Sequence, residues 1–181
     1  MAGKETKHLE AFLNKFGKSV VRNSRRRLKK EKGSTKLSKT IKYKVEGKKG
    51  NLDVTFSMDK YGPFLDKGVS GTKKKQSFIN EAGKSEVSPY GYKNSTGHSQ
   101  PPSKALDKWV VKKGIAPRTK SGKFMARKAL TYIIARSIGR KGIKSTSFFQ
   151  KPFGQAMKGY ATGVSKAIAK DIEDGLKGKK K

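Results

Sequence analysis

Residues 37–58, LSKTIKYKVEGKKGNLDVTFSM, decide the fold class. Leu37, Ile41, Tyr43 and Val45 alternate with Ser38, Thr40, Lys42 and Lys44, which is the period of a strand with one buried face. Leu52, Val54, Phe56 and Met58 alternate in the same way with Asp53, Thr55 and Ser57. Between them, Gly47-Lys48-Lys49-Gly50 has turn chemistry, because glycine tolerates the positive φ that hairpin turns need. The stretch predicts an antiparallel β-hairpin.

Both flanks of the hairpin read as helical. From Glu5 to about Lys30, Leu9, Phe12, Leu13, Phe16 and Val20 recur every three or four residues and share one face of a helix. The opposite face carries Lys15, Lys18, Arg22, Arg25, Arg26 and Lys29, and Gly33 follows a basic last turn that suits the negative end of the helix dipole. Pro101-Pro102-Ser103 opens a further helix with Ala105, Leu106, Trp109 and Val110 on one face, stopped by Gly114. Ser121 precedes another, with Ala126, Leu130, Ile133 and Ile134 as its apolar stripe, Arg136 and Arg140 off the stripe, and Gly139 and Gly142 at its end. Phe153, Met157, Tyr160, Val164 and Ile168 line a last helix that runs towards Gly175 and a basic tail.

Tyr61-Gly62-Pro63-Phe64-Leu65-Asp66-Lys67-Gly68 breaks the strand and predicts a short helical turn, with Tyr61, Phe64 and Leu65 as its packing residues. The stretch 69–100 then shows no periodicity over about thirty residues, longer than an ordinary connector in a compact domain. It is expected to be an arm ordered by neighbouring subunits, with Phe78, Ile79, Tyr90 and Tyr92 as interface anchors. The resulting expectation is an α+β fold: a long N-terminal helix and a C-terminal helix packed on a small antiparallel sheet. One domain spans 1–176, with the extended loop at 69–100, a helical insertion at 101–144 and a basic tail at 177–181.

Charge dominates the composition: 45 Lys and Arg against 13 Asp and Glu give a formal +32 over 181 residues. Such a chain repels itself and gathers polyanions, so nucleic acid, an anionic membrane surface or an acidic protein face are its candidate partners. Lys18, Arg22, Arg25, Arg26 and Lys29 on the first helix and the run Lys73, Lys74 and Lys75 are the candidate contacts. No apolar run approaches the roughly 18 to 20 residues of a membrane span, and the first residues lack the apolar stretch of a signal peptide. The chain is expected to be soluble and made in a cytoplasm.

Catalytic and metal-binding patterns are weak. Cysteine is absent, and the two histidines, His8 and His98, stand in separate contexts. The acidic cluster Asp171, Glu173 and Asp174 lies among lysines near the end of the last helix, where surface pairing is expected rather than metal-assisted chemistry. Gly68-Val69-Ser70-Gly71-Thr72-Lys73 lacks the four-residue spacing of a phosphate-binding loop. Neither enzyme activity nor any cofactor or metal is expected.

Two segments carry a family resemblance. Tyr61 to Gly68 resembles the Tyr-small-x-aromatic-aliphatic-acid-x-Gly element of the tail-completion and head-to-tail joining proteins of tailed bacteriophages. Ser147-Phe148-Phe149-Gln150-Lys151-Pro152-Phe153-Gly154-Gln155-Ala156 is similar to that family's Pro-Phe-x-x-Ala entry into the C-terminal helix. The order of helix, hairpin, element and C-terminal helix also matches, whereas Pro101 to Lys144 is an insertion similar to one in neck and tail proteins of crAss-like phages. The resemblance implies a structural virion protein assembled in the host cytoplasm. It would form a six- or twelve-fold homo-oligomeric ring at the neck, between portal, adaptor or tail proteins and around packaged DNA. The alternative from a different class is a nucleic-acid-binding protein of ribosomal or nucleoid type that does not read sequence.

Overall fold

A computed structural model describes residues 6–32, 36–48, 51–92, 99–119 and 121–178. Gly33, Lys49, Gly50, His98 and the last three lysines, on which some of the expectations above fall, lie outside the described residues. In chain order come α1 (Lys7–Lys32), α2 (Lys36–Thr40), β1 (Lys42–Lys48), β2 (Asn51–Ser57) and α3 (Gly62–Lys67). Then follow β3 (Val69–Ser70), β4 (Ser77–Ile79), β5 (Ser85–Val87), a 3-10 turn (Ser103–Leu106) and α4 (Asp107–Lys112). The chain ends with α5 (Arg127–Lys141), β6 (Gly142–Ile143), α6 (Gln150–Met157) and α7 (Tyr160–Gly178). The fold is mixed, with long N- and C-terminal helices and small antiparallel sheets. Where the sequence predicts one domain, the residues divide into two compact units: 1–62, 79–84 and 147–181 in the first, 63–78 and 85–146 in the second.

In the first unit, α1 buries Leu9, Leu13, Phe16, Val20, Val21 and Leu28 along one face. That face packs on the hairpin, on α6 and on α7. Gly17 lets the helix lie directly on β1, since a Cβ there would overlap the Tyr43 ring. Phe16 meets Phe56 and Phe153 edge-on at 6.2 Å between centroids and Tyr160 at 4.9 Å, and Phe56 meets Phe149 at 5.4 Å. Ring edges are positive and ring faces negative, so these tilted contacts add attraction to the area they bury. Leu9, Leu13 and Ala167 form a buried cluster on which Val45, Leu52, Val54 and Val164 pack.

The hairpin forms in the register the alternation demands, with Tyr43 opposite Phe56 and Val45 opposite Val54. Pairing continues to Lys48 opposite Asn51, so Gly47 lies within the strand and not in the turn. The first strand starts later than its pattern indicates: Leu37 belongs to α2, and β1 begins at Lys42. A spacing of four residues, as from Leu37 to Ile41, satisfies the strand period and a helical turn alike. Thr40 settles the choice, its hydroxyl donating to the Leu37 carbonyl at 3.0 Å and accepting from the Asp59 N–H at 3.2 Å. The single C-terminal helix of the sequence reading is two helices, separated at Lys158 and Gly159. Phe153 and Tyr160 sit in the aromatic cluster, whereas Met157 and Ile168 are exposed.

In the second unit the expected arm is folded back on its own chain over the described residues. Val69 pairs with Ile143 across β3 and β6. The Ser70 N–H donates to the Tyr90 carbonyl at 2.8 Å, the Tyr92 N–H to the Ser70 carbonyl at 3.1 Å, and the Ser88 hydroxyl to the Gly68 carbonyl at 2.7 Å. Strands of two or three residues are too short to leave a readable period, which is why this order escaped the pattern. On α5 the buried face is Leu130, Thr131, Ala135 and Gly139, and Ile133 is exposed. Leu130 lies on the predicted stripe, but beyond it the inward face is made of the smaller Thr131, Ala135 and Gly139, which a search for large aliphatics passes over. α4 buries Val110 but exposes Trp109. α3 forms as the short helical turn the sequence predicts, yet Tyr61 and Phe64 are exposed, and the element buries Asp66 together with Gly62 and Gly68.

Candidate polyanion-binding surfaces

The five α1 cations do not form one stripe. Lys18, Arg22 and Arg25 recur at helical spacing and, with Lys42 and Tyr43 of β1, line a groove of about 490 Å³. Arg25 is fixed there, its Nη2 donating to the Ile41 carbonyl at 2.7 Å. Arg26 falls on another side of the helix, in a groove of about 310 Å³ shared with Asn23, Arg27, Lys30 and Lys151. Lys29 is exposed and lines neither groove. Part of this charge is met within the helix, where Arg27 lies 3.8 Å from Glu31 one turn on.

A second basic surface belongs to the second unit. Lys73 and Lys74 meet Tyr132, Arg136, Arg140 and Lys141 of α5 around a groove of about 540 Å³. The sequence separates these two sets by some sixty residues, and backbone bonding joins them. The Thr72 N–H donates to the Gly139 carbonyl at 2.9 Å and the Lys73 N–H to the Arg140 carbonyl at 3.0 Å. Gln76 Nε2 donates to the Lys141 carbonyl at 2.7 Å. These bonds occupy carbonyls that a helix C-terminus leaves without intrahelical partners, so the loop serves as the cap of α5. Gly71 permits the approach, because a Cβ there would overlap the Arg140 carbonyl. Lys75 is exposed and lies outside this lining. Arg136, Arg140, Lys141 and Tyr132 were missed as site residues. The exposed i, i+4, i+8 series Tyr132, Arg136 and Arg140 was the signal that could have found them.

The four expected interface anchors are engaged within the chain. Phe78 is buried, with the Lys67 ammonium 5.3 Å from its ring centroid. Ile79 is half-buried, and its N–H donates to the Ser147 hydroxyl at 3.0 Å. Tyr90 is half-buried against Phe64, with 4.5 Å between ring centroids. Tyr92 is half-buried, and burial raises its hydroxyl above the ordinary phenol value. Local packing uses these side chains, so they do not form a free anchor row.

The acidic cluster also departs from expectation. Asp171 is buried, and its two oxygens accept the N–H groups of His8 and Leu9 at 2.8 and 2.9 Å. It therefore caps the N-terminus of α1 from the far end of the chain, where a carboxylate also meets the positive end of the helix dipole. Asp174 lies 2.9 Å from His8 Nε2, and that hydrogen bond holds its carboxyl below the usual value. Glu173 alone follows the expected pairing, 2.6 Å from Lys177 one turn on.

Apolar surface remains uncovered on both units. On α7, Ile168, Ile172 and Leu176 are 40%, 59% and 65% exposed. Ala161, Ser165 and Ala169 are exposed on the same helical face. Trp109, Val111 and Phe124 of the second unit are exposed too. No helix among the described residues is long and apolar enough to cross a membrane. Comparisons with protein-family models, with curated proteins and with solved structures find no match for this chain.

Proposed function

We propose that the chain is a structural virion protein that forms a ring at the neck of a tailed phage, joining the portal to the tail and completing the tail. The observation that carries this reading is the face of α7. In a chain of which 32% is charged, Ala161, Ser165, Ile168, Ala169, Ile172 and Leu176 make an exposed strip without charge along one helix. Uncharged strips on so charged a molecule suit a protein neighbour. A closed ring needs two different patches on each subunit, and the apolar set Trp109, Val111 and Phe124 offers a second. The helix, hairpin, Tyr61–Gly68 element and C-terminal helix also keep the order that the resemblance implies.

Light scattering on the purified chain, alone and with portal and tail proteins, tests this reading. Wild type is expected to assemble, and Ile172→Asp with Leu176→Asp to remain a folded monomer. A wild-type chain that stays monomeric in every mixture at tens of micromolar would overturn it. The second reading, a nucleic-acid-binding protein of ribosomal or nucleoid type, is favoured by the basic grooves. It gains if that monomer saturates DNA.

A further inference from the structure

We infer that the groove between the 73–74 loop and α5 is a binding site for a nucleic-acid strand, held by its sugar–phosphate backbone. Lys73, Lys74, Arg136, Arg140 and Lys141 converge there, and no acidic side chain is among the residues that line it. None of the five ion-pairs with an acid among the described residues. Five like charges around one groove repel each other, and a bound polyanion relieves that repulsion. The clustering is not the accident of a loose loop, because three hydrogen bonds fix the lysine loop to the end of α5.

The shape of the charge selects a polymer over a single phosphate. Residues 132 to 141 of α5 extend about 13 Å at the helical rise, so the cations form a lane with arginines at successive turns. Guanidinium groups take phosphate oxygens in pairs. Tyr132 and Ile133, each 51% exposed, lie in the same groove and offer an aromatic and an aliphatic face to bases or sugars. An acidic protein would call for the reverse layout, an apolar centre with charges at the rim. The inference is independent of the ring reading, since the groove is complete within one chain.

The test must separate this groove from the general charge of the chain. Anisotropy titration of labelled random-sequence single-stranded and duplex 20-mers compares wild type with two full-length variants. One carries Lys73→Gln, Lys74→Gln, Arg136→Gln and Arg140→Gln; the control carries Lys15→Gln, Lys39→Gln, Lys104→Gln and Lys170→Gln. The groove variant is expected to bind at least 30-fold more weakly at 150 mM salt. Its log–log salt slope should fall by roughly 3 to 4, while the control stays within about threefold of wild type. Equal losses in both variants would overturn the inference. So would poly-glutamate displacing the nucleic acid at equal charge concentration, which would assign the groove to an acidic protein.

Lysine acetylation of the wild type gives an answer that needs no variant to fold. Bound nucleic acid should protect Lys73, Lys74 and Lys141 well beyond Lys15 and Lys39, and uniform protection would overturn the assignment. Light scattering on the groove variant keeps the two proposals apart, because loss of the nucleic-acid site should leave assembly unchanged.

Discussion

The two units are held by different means. In the first, five aromatic rings interlock between α1, the hairpin and the C-terminal helices, and one face of α1 is buried along almost its whole length. In the second, very short strands and side-chain-to-backbone bonds tie the chain together while Trp109, Val111, Phe124, Tyr132 and Ile133 stay exposed. Packing of large rings thus distinguishes the first unit, whereas exposed apolar surface is common to both, on α7 in the first and at these five positions in the second.

The largest break in that comparison should come from Phe16→Ala. Truncating a ring that touches three others is expected to cost about 3 to 5 kcal/mol, whereas Trp109→Ala, at a half-open surface position, should cost under about 1 kcal/mol. Urea unfolding followed by circular dichroism measures both. Similar losses would erase the distinction between the units.

Next in size is Asp171→Ala, which leaves two amides of the first turn of α1 without their carboxylate. A loss of about 1 to 2 kcal/mol is expected, with faster hydrogen exchange confined to the start of α1 and the facing part of α7. Exchange that spread evenly over α1 would show that the cap is not what secures this end.

Phe64→Ala probes the second unit. A half-exposed ring tilted against Tyr90 should contribute only about 1 kcal/mol, well below the value for Phe16. A loss of 3 kcal/mol or more would mean that ring packing supports both units alike.

The smallest effect is the pH response of the His8–Asp174 pair. Because the Asp174 carboxyl is depressed when folded, its contribution is present above the ordinary carboxylate value and is lost as pH falls through the folded one. Melting between pH 5 and pH 2 should show a slight excess loss in wild type that Asp174→Asn removes. Identical curves would leave the pair without energetic weight.

The regular parts of the fold were legible in the sequence. Leu9, Leu13, Phe16 and Val20 repeat with the helical period, and Tyr43, Val45, Val54 and Phe56 with the strand period, so α1 and the hairpin could be read directly. In the second unit the helices α3, α4 and α5 could be read but the strands could not, because β3 is two residues long and pairs with a strand more than seventy residues away. The candidate groove was half legible. Lys73 and Lys74 announce themselves as a charge run, but their meeting with Arg136, Arg140 and Lys141 depends on backbone bonds that leave no mark in composition. The Asp171 cap was hidden for the same reason, since a capping carboxylate is normally sought next to the helix it serves.

That cap also bears on the order in which the protein can be made. α1 emerges from the ribosome well before α7, yet the carboxylate that closes its first turn lies on α7. All of 63–78 and 85–146 must be synthesised in between. At about 5 to 20 residues per second, roughly 8 to 33 s separate the synthesis of His8 and Leu9 from that of Asp171. During that interval the second unit can fold as a nested insert while the first waits, open, for its closing segment. A nascent or truncated chain that ends before α7 would thus display to chaperones and proteases the part of the α1 face that α7 covers, and chains that include α7 would conceal it.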